Sequence, residues 1–428
     1  MMSEMKSMPK FNKAQKQAVE HNKGPMMVLA GPGAGKTLVI TYRTKTLIEK
    51  YGVEPGKILV ITFTKAAAEE MKVRFQNIMD GKYVPVRFGT FHAVFFSILK
   101  HAYHYTASNI IRESEKKRIL LEIVENMELD IEDLNEFIQD MENEISLVKG
   151  EMLSLEHYFP MNCAKDIFQK VYTRYNQALQ RRKLIDFDDM LVYCYELLTQ
   201  RPDILKMWQQ QFQYILIDEF QDINKVQYDI IRLLARPNNN LFIVGDDDQS
   251  IYRFRGAKPE IMLQFEEVYP SAKKVLLDVN YRSTACIVET ASMVIAHNKT
   301  RFPKNIRTDN ERGQEVAIRE FEDLKQQNEK IIEKVREYQK QGMPLSQIAV
   351  LFRTNMQPRA LIGKFMEYNI PFCVREQIPN IYEHWIAKDI IAYIKLAQGK
   401  RDRSLFLKVA NRPKRYLSRQ IFDTQEIS

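Results

Sequence analysis

Short apolar runs recur along the chain, each bounded by Gly, Pro or Asp: MMVLA (26–30), ILVIT (58–62), YILI (214–217), LFIV (241–244), VLL (275–277) and IAVLF (348–352). Runs this short, apolar at consecutive positions, predict strands buried on both faces. Between them, stretches such as 65–79 and 224–234 carry apolar residues at helical spacing. The alternation predicts an α/β fold on a parallel sheet. From about 95 to 184 the strand signal vanishes and mixed-charge helical patterns replace it, so a helical insertion is expected there. A second α/β stretch is expected from about 280, and after Cys373 the pattern turns helical and basic.

Composition narrows the class. A chain of 428 residues exceeds what one compact core holds, so several domains are expected. No window approaches the ~18 uninterrupted apolar residues of a membrane span, and MMSEMKSMPK lacks the apolar stretch of a secretory signal. Four scattered cysteines without a CxxC pair predict reduced core thiols in a cytoplasmic protein. His101 and His104 lack a third metal ligand, so packing is expected of them. The formal net charge is +8, yet Glu122 to Glu144 holds ten acidic residues and no Lys or Arg. The remainder is therefore more strongly basic, a balance suited to a polyphosphate partner and to salt-dependent binding.

Strand MMVLA runs into GPGAGKT (31–37) and then into a helical pattern. Gly31, Gly33 and Gly35 let backbone N–H groups approach phosphates, with Ala30, Pro32 and Ala34 completing the loop, and the next helix presents its positive end. Lys36 is placed to reach the β- and γ-phosphates of ATP, and the Thr37 hydroxyl to ligate Mg2+. YILI ends in Asp218-Glu219, two carboxylates at the sheet edge where open α/β sheets bind ligands. Asp218 suits the Mg2+ shell, and Glu219 suits orienting or deprotonating the attacking water.

With these motifs in place, the chain resembles the UvrD/PcrA/Rep family of superfamily-one DNA helicases. FNKAQKQAV (11–19) resembles the Q motif, GPGAGKT motif I, TFTKAAAEEM (62–71) motif Ia, GTFH (89–92) motif Ib, and DEFQD (218–222) motif II. GDDDQSIYRFRGA (245–257) is similar to motif III, NYRST (280–284) to motif IV, and VLFRTNMQPR (350–359) to the next block. The resemblance implies P-loop NTPase lobes of the RecA-like kind with helical insertions. A first lobe is expected at 1–95 and 186–279, its insertion at 96–185, a partial second lobe at 280–373 and the start of another insertion at 374–428. It implies that Gln15 reads the adenine, Tyr281 stacks on it, Gln249 touches the γ-phosphate and Arg282 acts as an arginine finger. Phe63, Tyr252 and Phe254 are expected to stack on bases of single-stranded DNA, with Arg255 on a phosphate. Leu38 stands where relatives commonly carry Arg, Phe254 where they often carry Trp, and Lys65 sits one position from the usual motif Ia lysine.

The implied function is an ATP-dependent 3'-to-5' DNA helicase or single-strand translocase, in repair or replication, engaging single strands and single-/double-strand junctions. The alternative is the motor part of an AddA/RecB-type helicase–nuclease; a non-motor ATP-binding module is a third reading, against which the intact motif residues stand. Nothing after Arg359 resembles the family's motifs V and VI. The chain is therefore expected to be an N-terminal portion that binds nucleotide but hydrolyses it weakly in response to DNA.

Overall fold

A computed structural model describes residues 9–127, 129, 131, 133–253, 256–375, 380, 382, 384–413 and 415–417. It divides into a unit at 1–316 and a unit at 317–428. The first is built on a six-stranded parallel sheet of β1 (Met26–Ala30), β2 (Ile58–Thr62), β3 (Arg87–Thr90), β4 (Tyr214–Ile217), β5 (Leu241–Gly245) and β6 (Lys273–Leu277), in the order β3-β2-β4-β5-β1-β6. The first five predicted runs thus form strands, and β3 joins them without an apolar run of its own.

Side-chain alternation sorts the strand residues onto two faces. Met27, Leu29, Leu59, Ile61, Ile215, Ile217, Leu241 and Ile243 enter one core, while Met26, Val28, Ile58, Val60, Leu216, Phe242 and Val244 enter the other. The second face is covered by α1 (Lys13–Glu20), α2 (Lys36–Glu49) and α3 (Lys65–Ile78). The first takes α4 (Phe91–Tyr103), whose Phe91, Phe95 and Leu99 pack there. Both faces are therefore buried, which is why the strands read as continuous apolar runs.

The insertion has its own core. Helices α5 (Glu113–Glu125), α6 (Leu134–Glu151) and α7 (Lys165–Arg182) close around Ile119, Leu120, Met141, Ile145, Phe168, Val171 and Tyr175. This core starts at Ile111, whereas α4 belongs to the sheet, so the insertion begins later than the disappearance of strand signal suggests. The chain returns through α8 (Phe187–Gln200), α9 (Pro202–Gln211) and α10 (Lys225–Ala235), then the short α11 (Pro259–Leu263) and α12 (Phe265–Val268). A buried cluster fastens the insertion to α8: Lys149 Nζ lies 2.9 Å from Asp186 and 2.7 Å from Asp189, and Tyr175 donates to Asp186 at 3.0 Å.

Residues 280–316, expected in a second lobe, group with the first unit and include α13 (Ala285–Ile295), with hydrogen bonds to the rest of that unit from Asn280 and Tyr281 and from Arg301, Phe302 and Lys304. The second unit holds α14 (Leu324–Lys340), α15 (Pro358–Glu367), α16 (Trp385–Ala397) and α17 (Arg403–Val409), with a small core of Ile332, Val335, Leu361, Phe365 and Ile370. The predicted strand at 348–352 does not form. Among the described residues of this unit there is no strand to pair with it, and Leu351 is exposed. An isolated extended run has no ladder for its N–H and C=O groups. Of the cysteines, Cys194 and Cys286 are buried as expected of core thiols, but Cys373 is exposed.

Candidate nucleotide site and nucleic-acid edge

In a parallel sheet every strand ends on the same edge, and the sheet order here places β4, β5, β1 and β6 side by side. Their carboxyl ends deliver Asp218-Glu219, the Asp246–Gln249 turn, the phosphate loop and the Asn280–Arg282 segment in succession. The site thus follows from topology, with the loop–helix junction of β1 and α2 at its centre.

The loop needs its glycines. Gly33 and Gly35 have φ of 67° and 85°, in the left-handed region that L side chains disfavour. A Cβ on Gly31 would lie 2.5 Å from Ile306 Cδ1, and one on Gly33 would lie 2.8 Å from Arg282 Cβ. Asn280 Nδ2 donates to the Pro32 carbonyl at 2.8 Å, and Tyr281 N to that of Gly33 at 3.1 Å. Asn280 Oδ1 also accepts from the backbone of Arg282 and Ser283, so one buried amide ties motif IV to the loop. Arg282 and Tyr281 are exposed at the rim of this junction.

Gln15 is buried and donates to the Ala34 carbonyl at 3.1 Å. Its Oε1 accepts from Asn12 N, and Asn12 Oδ1 accepts from Gln15 N, a reciprocal cap on α1. Asn12 Nδ2 then donates to the Tyr281 hydroxyl at 2.9 Å, so Gln15 and Tyr281 share one polar network.

Lys36 starts α2, and its ammonium meets Glu219 Oε2 at 2.8 Å. Glu219 has φ of 51°, an uncommon value for a side-chain-bearing residue and a sign of local strain at this turn. Burial and the adjacent Glu219 carboxylate push Asp218 up to about 7, against the opposing charge of Lys36. The same two causes raise Asp222 to about 6, and its buried Oδ1 has no hydrogen-bond partner. A buried carboxyl pressed toward protonation by a neighbouring charge is a suitable oxygen ligand for a hard divalent cation. Thr37 is half-buried in the first turn of α2.

Gln221 links strand ends. It donates to Glu219 Oε2 at 3.0 Å, and its Oε1 accepts from Asp246 N at 3.0 Å. Gln249 is exposed, with its Nε2 held by Asp246 Oδ2 at 2.7 Å. Sequence alone gives no role to Asn12, Gln221, Asp222 or Asn280; for Gln221 and Asp222 the signal is DEFQD, whose last two polar residues are unneeded by a simple strand end.

The ends of β2 and β3 occupy the far side of the same edge. Thr64 caps α3 by accepting from Ala67 N at 3.1 Å, and Thr90 caps α4 by accepting from Ala93 N at 3.2 Å. Phe63 is half-buried and meets Phe91 edge-on at 5.3 Å, so the core holds part of this ring. His92 lies edge-on to the exposed Phe187 at 5.5 Å, and burial lowers its pKa. Tyr252 is 38% exposed beside Ile251 at 71%; Phe254 and Arg255 lie outside the described residues.

A parallel sheet in which one interior strand, β1, opens into a glycine loop and a lysine that faces a carboxylate pair defines a P-loop nucleotide-binding protein. Residues 11–270 match the UvrD/REP helicase N-terminal domain, and residues 275–427 match the UvrD-like helicase C-terminal domain. The chain belongs to the UvrD/REP helicase family. It is 33% identical over 414 residues to the ATP-dependent DNA helicase PcrA of Staphylococcus epidermidis, covering 95% of this chain and 56% of that protein. To the putative ATP-dependent DNA helicase YjcD of Bacillus subtilis it is 36% identical over 403 residues, 92% of this chain and 52% of the relative. To PcrA of Leuconostoc citreum the identity is 35% over 418 residues, 95% and 55% of the two chains. The chain thus spans about half the length of the curated relatives it matches. Among the described residues no helix is long and apolar enough to cross a membrane.

Proposed function

We propose that this chain is the nucleotide-hydrolysing motor part of an ATP-dependent DNA helicase that translocates 3'-to-5' on single-stranded DNA, acting in the cytoplasm on repair or replication intermediates. The observation that carries the reading is the Lys36–Glu219 pair at 2.8 Å with Asp218 adjacent. Phosphates of ATP compete for the Lys36 ammonium, and its transfer to them frees Glu219 to orient the attacking water. Asp218 and Thr37 would hold Mg2+, which would supply neutralisation of the charge that develops on the phosphoryl oxygens. Gln15 and Tyr281 would frame the adenine, and Gln249 and Arg282 would meet the γ-phosphate.

On the nucleic-acid side, the capped amino ends of α3 and α4 present backbone N–H groups to phosphates. Phe63, Tyr252, Phe254 and Arg255 supply stacking and a phosphate contact, a sequence-tolerant mode. Junctions of single and double strands are the expected substrate. The test is hydrolysis of Mg-ATP with and without single-stranded oligonucleotides, combined with arrival of the protein at a dye on either DNA end. Signal change at a 5'-end dye supports the reading; no oligonucleotide binding, or arrival at the 3' end, would sink it.

A further inference from the structure

Three consecutive acids follow β5: Asp246, Asp247 and Asp248, with side chains 0%, 2% and 12% exposed. Burying three adjacent carboxylates is prohibitive without cations. The cations come from far along the chain. Lys304, itself 1% exposed, lies 2.8 Å from Asp246 Oδ1 and 2.9 Å from Asp248 Oδ2, and also contacts Asp247. Arg301 grips Asp248 with two bonds of 2.7 and 2.6 Å, and Phe302 N donates to Asp247 at 2.8 Å. Burial opposes the Lys304 charge, but Asp246 and its neighbours hold its pKa above the ordinary value.

Only one oxygen of Asp246 serves Lys304. The other, Oδ2, holds the Gln249 amide at 2.7 Å, while Asp246 N reaches Gln221 and through it Glu219. The clamp is also continuous with the phosphate loop. Two residues past Lys304, Ile306 fills the space beside Gly31, and Arg307 exchanges backbone bonds with Asp278 and Asn280. Residues 278–307 therefore brace the site at both the loop and the Gln249 turn.

We propose that Lys304 is a positioning residue for Gln249: by fixing Asp246 Oδ1 it orients Oδ2, and so aims the carboxamide that discriminates a γ-phosphate. This rests on the nucleotide-site reading above. Lys304→Met leaves buried acid uncompensated and risks unfolding, so it is paired with Asp247→Asn, which restores the local charge balance and keeps an acceptor for Phe302 N. The readout is the ratio of dissociation constants for Mg-ADP and the non-hydrolysable Mg-AMPPNP, measured by calorimetry on the 428-residue chain, with circular dichroism as a check on folding.

Wild type is expected to prefer Mg-AMPPNP. Gln249→Ala should lose that preference by about tenfold, the worth of one hydrogen bond to a charged group. The Lys304→Met/Asp247→Asn protein should lose it equally, and adding Gln249→Ala to it should cost nothing more. Undiminished discrimination in the folded double variant, or losses that multiply, would overturn the role of Lys304 alone. A wild type that binds neither nucleotide would overturn the nucleotide-site reading and this proposal with it.

Discussion

At the residue scale the site is a cluster of acids held together by few cations. Lys36→Ala should abolish nucleotide binding while leaving the fold intact, and Glu219→Gln should keep Mg-ATP binding but lose turnover. Equal affinity loss in both would contradict the division of roles. Asp218 makes a second prediction. Its folded pKa is about 7 against an ordinary 3.8, so between those values the folded state holds a proton that the unfolded chain has released. Stability without metal should therefore fall as pH rises from about 4 to 7, by on the order of 2–4 kcal/mol. Asp218→Asn should flatten this slope in chemical-denaturation curves taken across that range; an unchanged slope would place the titration elsewhere. Over the same window Mg2+ affinity should rise, because metal and proton compete for one carboxylate. On the DNA edge, Tyr252→Ala and Phe254→Ala should each weaken single-strand binding by ~1–3 kcal/mol with little sequence preference, read by fluorescence anisotropy.

At the element scale, what was legible in the sequence is what a short window determines. The runs at 26–30, 58–62, 214–217 and 241–244 announce strands because both faces are buried, and GPGAGKT announces its loop because backbone geometry demands glycine. β3 was invisible, since RFGT is half-buried throughout and carries no apolar run. The opposite failure occurs at 348–352, where an apolar run has no strand to pair with among the described residues of its unit. The contacts between Lys304 and Asp246–Asp248 span more than fifty positions, and no local pattern reports them; three adjacent acids after a buried strand do signal that a distant cation is required. The insertion is anchored the same way. Lys149→Met, which strands Asp186 and Asp189 in the interior, should destabilise the protein by ~3–5 kcal/mol, seen as a lowered midpoint in thermal unfolding. A change below 1 kcal/mol would mean that water reaches the pair.

At the scale of the whole molecule, one sheet edge carries both proposed activities. The ends of β4, β5, β1 and β6 carry the proposed nucleotide site, and those of β2 and β3, on the same edge, the proposed nucleic-acid contacts. Because β4 pairs with β2, the Asp218 backbone is joined to this edge, its N–H donating to the Ile61 carbonyl two residues before Phe63. Occupancy of one side is therefore expected to alter affinity on the other, reciprocally. Coupling between the two sides is read directly by titrating a fluorescent Mg-ATP analogue into the protein, with and without a single-stranded oligonucleotide. Saturable, Mg2+-dependent binding is expected, which Lys36→Ala abolishes, Glu219→Gln retains, and the oligonucleotide shifts. Binding indifferent to Lys36→Ala, or to the presence of DNA, would contradict it.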